Sequence, residues 1–447
     1  MPLSADQIAA LAPDANALAA GKKSAAPRLW DALGRSDVAL WGECKGSAIY
    51  QVRVALDDLA AKCSCPSRKF PCKHSLGLLF LAAESPDRVP TATPPEWVTE
   101  WLGKRTESAD RKKQRAEKAA EAASPDPEQQ ARRAEKRLAR VVAGVEALDL
   151  WLSDLVRTGL ASVAPGDAAW NAQAARLVDA QAPGLASRVR RLGTLPRSGA
   201  EWGDRLAEGL GRLALLAQAT RRLDALDAPL AADVRMAVGW TLERDEVVAA
   251  GERVGDEWAI TGQLVEDDDR FRVQRSWLRG LRSGRDALVL QFAAGPARFP
   301  EALLPGMVLD AELAFWPSAQ PLRALVYERR GEMKPLAARP DPAGGVDGLL
   351  DGYAQALGRQ PWIERFPAVL GGVVPVLAGD AASERFQVID ADGRSLVLVG
   401  SGHWKLFAVS GGHPIDLFGE WDGRALLPLG ALADGSYYAL VSGEPTA

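Results

Sequence analysis

Apolar residues recur at three- and four-residue spacing through "VEALDLWLSDLVRTGL" (145–160) and "DRLAEGLGRLALLAQATRRLDAL" (204–226), which predicts an all-helical region over 141–238. Near Gly239 the period shortens toward two. "EVVAAGERVGDEWAITGQLVEDDDRFRVQRSWLRG" (246–280) and "MVLDAELAFWPSAQPLRALVYERRG" (307–331) alternate apolar with polar residues between Gly, Asp and Pro turns. That pattern predicts a β-rich domain of sandwich or barrel type over 239–335. "GGVDGLLDGYAQALGRQPWIERFP" (344–367) reads as a helical interlude. The C-terminus then returns to strands through "RFQVIDADGRSLVLVG" and "WKLFAVSGGHPIDLFGEWDGRALLPLG".

The N-terminal region begins as a helix and changes period at residue 37. Two β-prone runs, "VALWGE" and "AIYQVRVAL", flank "CKGS" and predict a hairpin. A cysteine-rich loop follows, then the short apolar helix "SLGLLFLAAES" and the Pro-rich stretch "PDRVPTATPP". The expected chain is multi-domain α+β. A unit over 1–85 has a small ββα core at 41–83, and a Pro-rich then charged linker spans 86–140. The helical domain over 141–238 and the β-rich domain over 239–335 come next, and a helix plus β-rich domain fills 344–447. No fixed-period repeat runs along the sequence, so a solenoid or propeller is not indicated.

Composition narrows the function classes. A hydrophobic fraction of 47% and a charged fraction of 25% are those of a soluble globular protein. The net charge of -4 gives the whole molecule no electrostatic footprint for nucleic acid, so such binding needs a local basic region. One exists: residues 103–140 carry twelve basic and seven acidic side chains, with little apolar content beyond Ala. The plain reading is a solvated linker, and a basic stripe for phosphate contact is the sharper one. No apolar run reaches the roughly 18 residues a membrane span needs. The N-terminus lacks the basic start of a signal peptide, so the expected compartment is the cytosol, where thiols stay reduced.

In that setting "KCSCPSRKFPCKH" (62–74) stands out, because it holds three of the four cysteines and one of the three histidines. Cys63, Cys65, Cys72 and His74 form C-x-C-x6-C-x-H. Thiolate sulfur and imidazole nitrogen are the donors of a tetrahedral zinc site, and four protein donors close it against a catalytic water. One structural Zn2+ is therefore expected. Pro66 and Ser67 favour the turn that brings the first pair together. Lys62, Arg68, Lys69 and Lys73 surround the ligands with no acidic residue between them, which favours thiolates. A Cys63–Cys65 disulfide would be strained, and the C-x-x-C of a thioredoxin-like pair is absent. Cys44 falls outside the ligand spacing and reads as a buried or edge thiol.

With these residues in place, "YQVRVALDDLAAKCSCPSRKFPCKHSLGLLFLA" resembles a SWIM zinc finger, in which C-x-C…C-x-H follows a β-hairpin and precedes a helix. The resemblance covers under a tenth of the chain and is close to the bacterial branch of unassigned function. It implies a zinc-held module proposed to bind DNA or proteins, of the kind also found in transposases and plant MEK kinases. In that branch, neighbouring genes often encode MoxR-type AAA ATPases and proteins with von Willebrand A-type domains, which implies such a protein as a partner. The chain itself has no G-x-x-x-x-G-K-[ST] phosphate loop.

Other signals are weaker. His403 and His413 lie beside glycines, read as turn or strand-end residues, and could pair with Asp416 or Asp422. Trp404 and Trp421 read as parts of a packed hairpin, or as the wall of a peptide groove. "EDDD" (266–269) lacks the spacing of a calcium loop and reads as an acidic turn. The reading is a zinc-binding, non-enzymatic interaction protein that recognises protein or nucleic acid through its finger. The lysines and Arg68 are its candidate contacts, and no membrane is involved. The alternative is an enzyme with an unrecognised active site in the C-terminal β region.

Overall fold

The run Leu76–Ala82 has no polar face, so a helix built from it must be covered on every side. The computed structural model does this with helices on one flank and a sheet on the other. It describes residues 3, 5–13, 15–67, 69–107, 111, 127–160, 166, 168–199, 201–268, 271–294, 299–341, 344–379 and 385–441. Helices α1 (Ala5–Ala10) and α2 (Ala15–Ser24) precede strands β1 (Trp30–Arg35), β2 (Ala39–Lys45), β3 (Ile49–Ala55) and β4 (Ala61–Cys63). These pair as an antiparallel sheet in the order β1-β2-β3-β4. Helix α3 (Lys73–Glu84) packs between that sheet and α2. Gly77 allows the close approach: a Cβ there would lie 2.7 Å from the Cβ of Ser24.

The predicted hairpin is β2–β3. The ββα reading is extended by two strands, β1 and β4, which are too short or too polar to announce themselves by alternation. A further helix, α4 (96–107), covers the opposite face of the sheet. Its Trp97 and Val98 pack on Ala39 and Trp41, while the Arg53 guanidinium lies 5.1 Å over the Trp97 ring. Part of the predicted linker is thus helix packed on the finger, and residues 112–126 lie outside the described residues.

The central helices are α5 (Pro127–Thr158), α6 (Ala168–Asp179), α7 (Pro183–Gly193), α8 (Trp202–Arg221) and α9 (Ala228–Val238). Val141, Val145 and Leu148 of α5 meet Trp170, Leu185, Leu213 and Val234 in one apolar core, as the three-and-four spacing requires. A short helix, α10 (Arg244–Ala250), stands where period two was expected to begin. Its start is set by a capping box between Glu243 and Glu246, which the apolar pattern does not register.

Next come β5 (Arg253–Asp268), β6 (Phe271–Gly280), β7 (Asp286–Ala294), β8 (Met307–Phe315) and β9 (Arg323–Arg329), with β10 (Lys334–Pro335) on the edge of β8. The long β5 pairs with β8 through its first half and with β6 through its second, turning at a register shift between Ile260 and Gly262. A parallel β7–β9 pair and the β8–β9 hairpin close the ring β5-β6-β7-β9-β8. This is the connectivity of an OB-type barrel. Its interior (Trp258, Leu309, Phe315) is continuous with Leu76, Leu79 and Phe80 of α3, so the finger and the barrel share one core.

The last region holds α11 (Val346–Arg359) and α12 (His403–Ser410) beside a sheet of β11 (Phe366–Ala378), β12 (Arg385–Ile389), β13 (Ser395–Val397), β14 (Ile415–Trp421), β15 (Leu426–Ala433) and β16 (Ser436–Ala439), ordered β13-β12-β11-β14-β15-β16. The predicted interlude is α11. "HWKLFAVS", expected as strand, is helix α12, because Gly402 and Gly411 bound it in left-handed conformations and turn Leu406 into the core. Among the described residues, no helix is long and apolar enough to cross a membrane.

Candidate metal centre

Strand β4 ends at Cys63, and the turn that follows places Cys65 two residues on. Cys72 then takes the N-cap position of α3, where its sulfur accepts from the Ser75 amide at 3.5 Å. His74 sits one residue inside the helix and is only 5% exposed. The loop, strand end and helix start thus point four donors at one spot: all four ligand atoms lie within 4.8 Å of one another. Cys63 Sγ and His74 Nδ1 are 3.7 Å apart. Zinc–sulfur and zinc–nitrogen bonds at a tetrahedral angle span about 3.6 Å. The donor set and its spacing therefore fit one zinc ion.

The surroundings support the same charge state. The hydrogen bond from the Cys63 thiol holds the Cys72 pKa well below the ordinary thiol value, and Ser75 donates to the same sulfur. That bond and burial push Cys63 up, and burial also pushes Cys65 up. Three sulfurs this close compete for one negative charge, and a dication lets all three be thiolates. The Tyr50 ring stacks on His74 with centroids 4.8 Å apart, fixing the imidazole plane. Ser75 was not singled out by sequence reasoning. Its signal was its place three residues after an N-cap, where a side chain can return to the cap.

Of the candidate contact residues, Lys62, Lys69 and Lys73 are exposed around the ligand loop, and Arg68 lies outside the described residues. Phe70 is 39% exposed beside them. Cys44 is a buried thiol whose pKa is pushed up to about 11 by burial, with Lys73 opposing, and it is not one of the clustered donors.

The distant histidines are not gathered with the finger. His403 is buried at the start of α12 against the Phe386 ring, and burial lowers its pKa. Asp416 is held by Arg339 at 2.8 Å and Asp422 by the amides of Arg424 and Ala425, so neither carboxylate turns to a histidine among the described residues. Trp421 is buried in β14, whereas Trp404 is 67% exposed on α12. Glu266 closes the acidic turn by pairing with Arg275, and Asp269 lies outside the described residues.

The family model of the SWIM zinc finger matches residues 50–83, and that of the SWIM-associated four-helix bundle domain matches residues 136–238. No curated protein and no solved structure matches the chain. The first match spans the donors from β3 to α3, and the second spans helices α6 to α9 with most of α5. The chain therefore carries a SWIM zinc finger followed by a SWIM-associated four-helix bundle domain.

Proposed function

We propose that the chain is a zinc-held interaction protein whose finger presents a basic surface to a macromolecular partner, a protein in the first reading. The observation that carries this is the division of the loop 62–74: the donors turn inward while Lys62, Lys69 and Lys73 face solvent. Four protein donors leave the metal no open position for a substrate, so what the site can offer is a shaped surface. A face of one sign steers an oppositely charged partner and sets specificity. Resemblance alone points to a MoxR-type AAA ATPase or a von Willebrand A-type domain protein as that partner. The second reading is nucleic acid, favoured by the same lysines because phosphate neutralisation releases counterions.

The two readings separate in one experiment. Affinity purification of the full chain with nuclease treatment should retain a protein partner, and Lys69→Ala with Lys73→Ala should weaken its capture. Loss of all partners on nuclease treatment, with a salt slope that falls by about one per lysine removed, would establish nucleic acid instead. Capture that ignores both substitutions would sink the finger's role in either reading.

A further inference from the structure

The helical bundle and the C-terminal sheet meet around a cavity of about 490 Å³. Six guanidinium groups line it: Arg188 and Arg191 from α7, Arg205 and Arg212 from α8, Arg365 before β11 and Arg424 before β15. Four carboxylates share the lining, and each is already engaged. Glu364 is gripped by both Arg188 and Arg191. Glu208 is shared by Arg212 and Arg424, each at 2.9 Å. Glu420 divides its charge between Arg365 and Arg275, each at 3.0 Å. Asp422 caps its own turn. Arg205 makes no ion pair among the described residues.

Positive charge is therefore in surplus at a site walled by Leu192, Leu195 and Leu427. Burial pushes the Arg188 pKa below the ordinary arginine value even with Glu364 beside it, so more negative charge there would be favourable. Guanidinium forks from different elements converge on one space, which suits a ligand with several anionic oxygens. The volume is that of an ordinary small-molecule site.

We propose that this cavity binds a small polyanion of the di- or triphosphate type, free or carried on a nucleoside, and that the ligand ties the bundle to the C-terminal sheet. The site is independent of the finger and of its partner.

The test uses the zinc-loaded full chain titrated calorimetrically with pyrophosphate, ATP and, as uncharged control, adenosine, without added divalent cation. One phosphate probe should bind per chain and raise the melting temperature, with adenosine silent. Tighter binding of ATP assigns a nucleotide, and equal binding of pyrophosphate assigns an inorganic source. Arg205→Ala should weaken binding at least tenfold while leaving the melting temperature of the unliganded chain in place, because Arg205 holds no ion pair. A Lys69→Ala, Lys73→Ala chain should bind as before. Absence of heat and of stabilisation with both phosphate probes would overturn the proposal. So would binding that Arg205→Ala leaves intact or that the finger substitutions remove.

Discussion

Cys63 and His74 stand 11 positions apart and are gathered by one turn, whereas Arg275 and Glu420 stand 145 apart and are gathered by two sheets. Both clusters bury polar side chains that would be costly alone. In the finger, a metal ion supplies the compensating charge, and the local chain supplies the geometry. At the barrel–sheet junction the compensation is internal. The Glu420 carboxylate, 3% exposed, accepts from Arg275 Nε at 3.0 Å, Trp277 Nε1 at 2.8 Å and Arg365 Nη1 at 3.0 Å. Burial alone would raise its pKa, but the arginine bonds win and lower it. The lesson is that a local cluster needs an external ion to hold it, while a distant one becomes a latch only when two domains are already folded.

Removing a metal ligand tests the first half of that contrast and should have the largest effect. Binding energies of structural zinc run to about 10 kcal/mol or more, and that energy is folding energy. Cys72→Ser is expected to lose one zinc per chain by metal analysis. It should also lose hydrogen-exchange protection over 39–84, spreading into the barrel through the shared core. Protection that survives zinc loss would mean the apolar core around α3, and not the ion, organises the finger.

Glu420→Gln tests the second half. Stripping the charge leaves Arg365 without its carboxylate and Arg275 with Glu266 alone, at a cost of about 3–5 kcal/mol for breaking a buried pair. Urea unfolding should show that loss, with exchange protection falling first in β6 and β14. An unchanged unfolding midpoint would reduce the latch to decoration.

Acid and base should then act on the two kinds of junction in opposite directions. Asp233 of α9 accepts from the Ala319 amide at 2.8 Å and from Gln360 Nε2 at 2.7 Å, joining the bundle to both β regions. Burial raises its pKa from 3.8 to about 6. The folded chain therefore binds this proton more tightly than the unfolded chain, and the stabilisation is complete below about pH 4 and lost as pH rises through about 6. Two units correspond to about 3 kcal/mol, so Asp233→Asn should flatten the decline in stability that this carboxyl adds between about pH 4 and 6, read from the melting temperature across that range. The finger should fail on the other side, because protonating thiolates releases zinc. A variant that keeps the wild-type slope would place the pH dependence elsewhere.

The smallest effect is expected where no polar cluster is involved. At Gly184 of α7 an added Cβ would sit 2.2 Å from the Ala237 carbonyl oxygen, a backbone atom that cannot rotate away. Gly184→Ala should cost about 1–3 kcal/mol by overpacking, confined to the bundle in denaturation and leaving zinc content unchanged.

Much of this architecture was legible before the structure. Helices α5 to α9 and α11 follow from three-and-four spacing, the barrel strands from alternation, and the four zinc donors from C-x-C…C-x-H. What escaped had weak local signals. Strands β1 and β4 are short, α10 and α12 are set by caps and glycines, and α4 hides its tryptophans within a Pro-rich and charged stretch. Ser75 and Tyr50 support the metal site through contacts that no motif encodes.

The amino-acid sequence by itself determined the periodic elements and the metal site, because both depend on residues near one another along the chain. Ring closure of the barrel, the core shared by finger and barrel, the Glu420 latch and the arginine-lined cavity were decided only by tertiary structure. Each joins residues from distant segments whose pairing no local spacing records, and whose burial alone makes their charges matter.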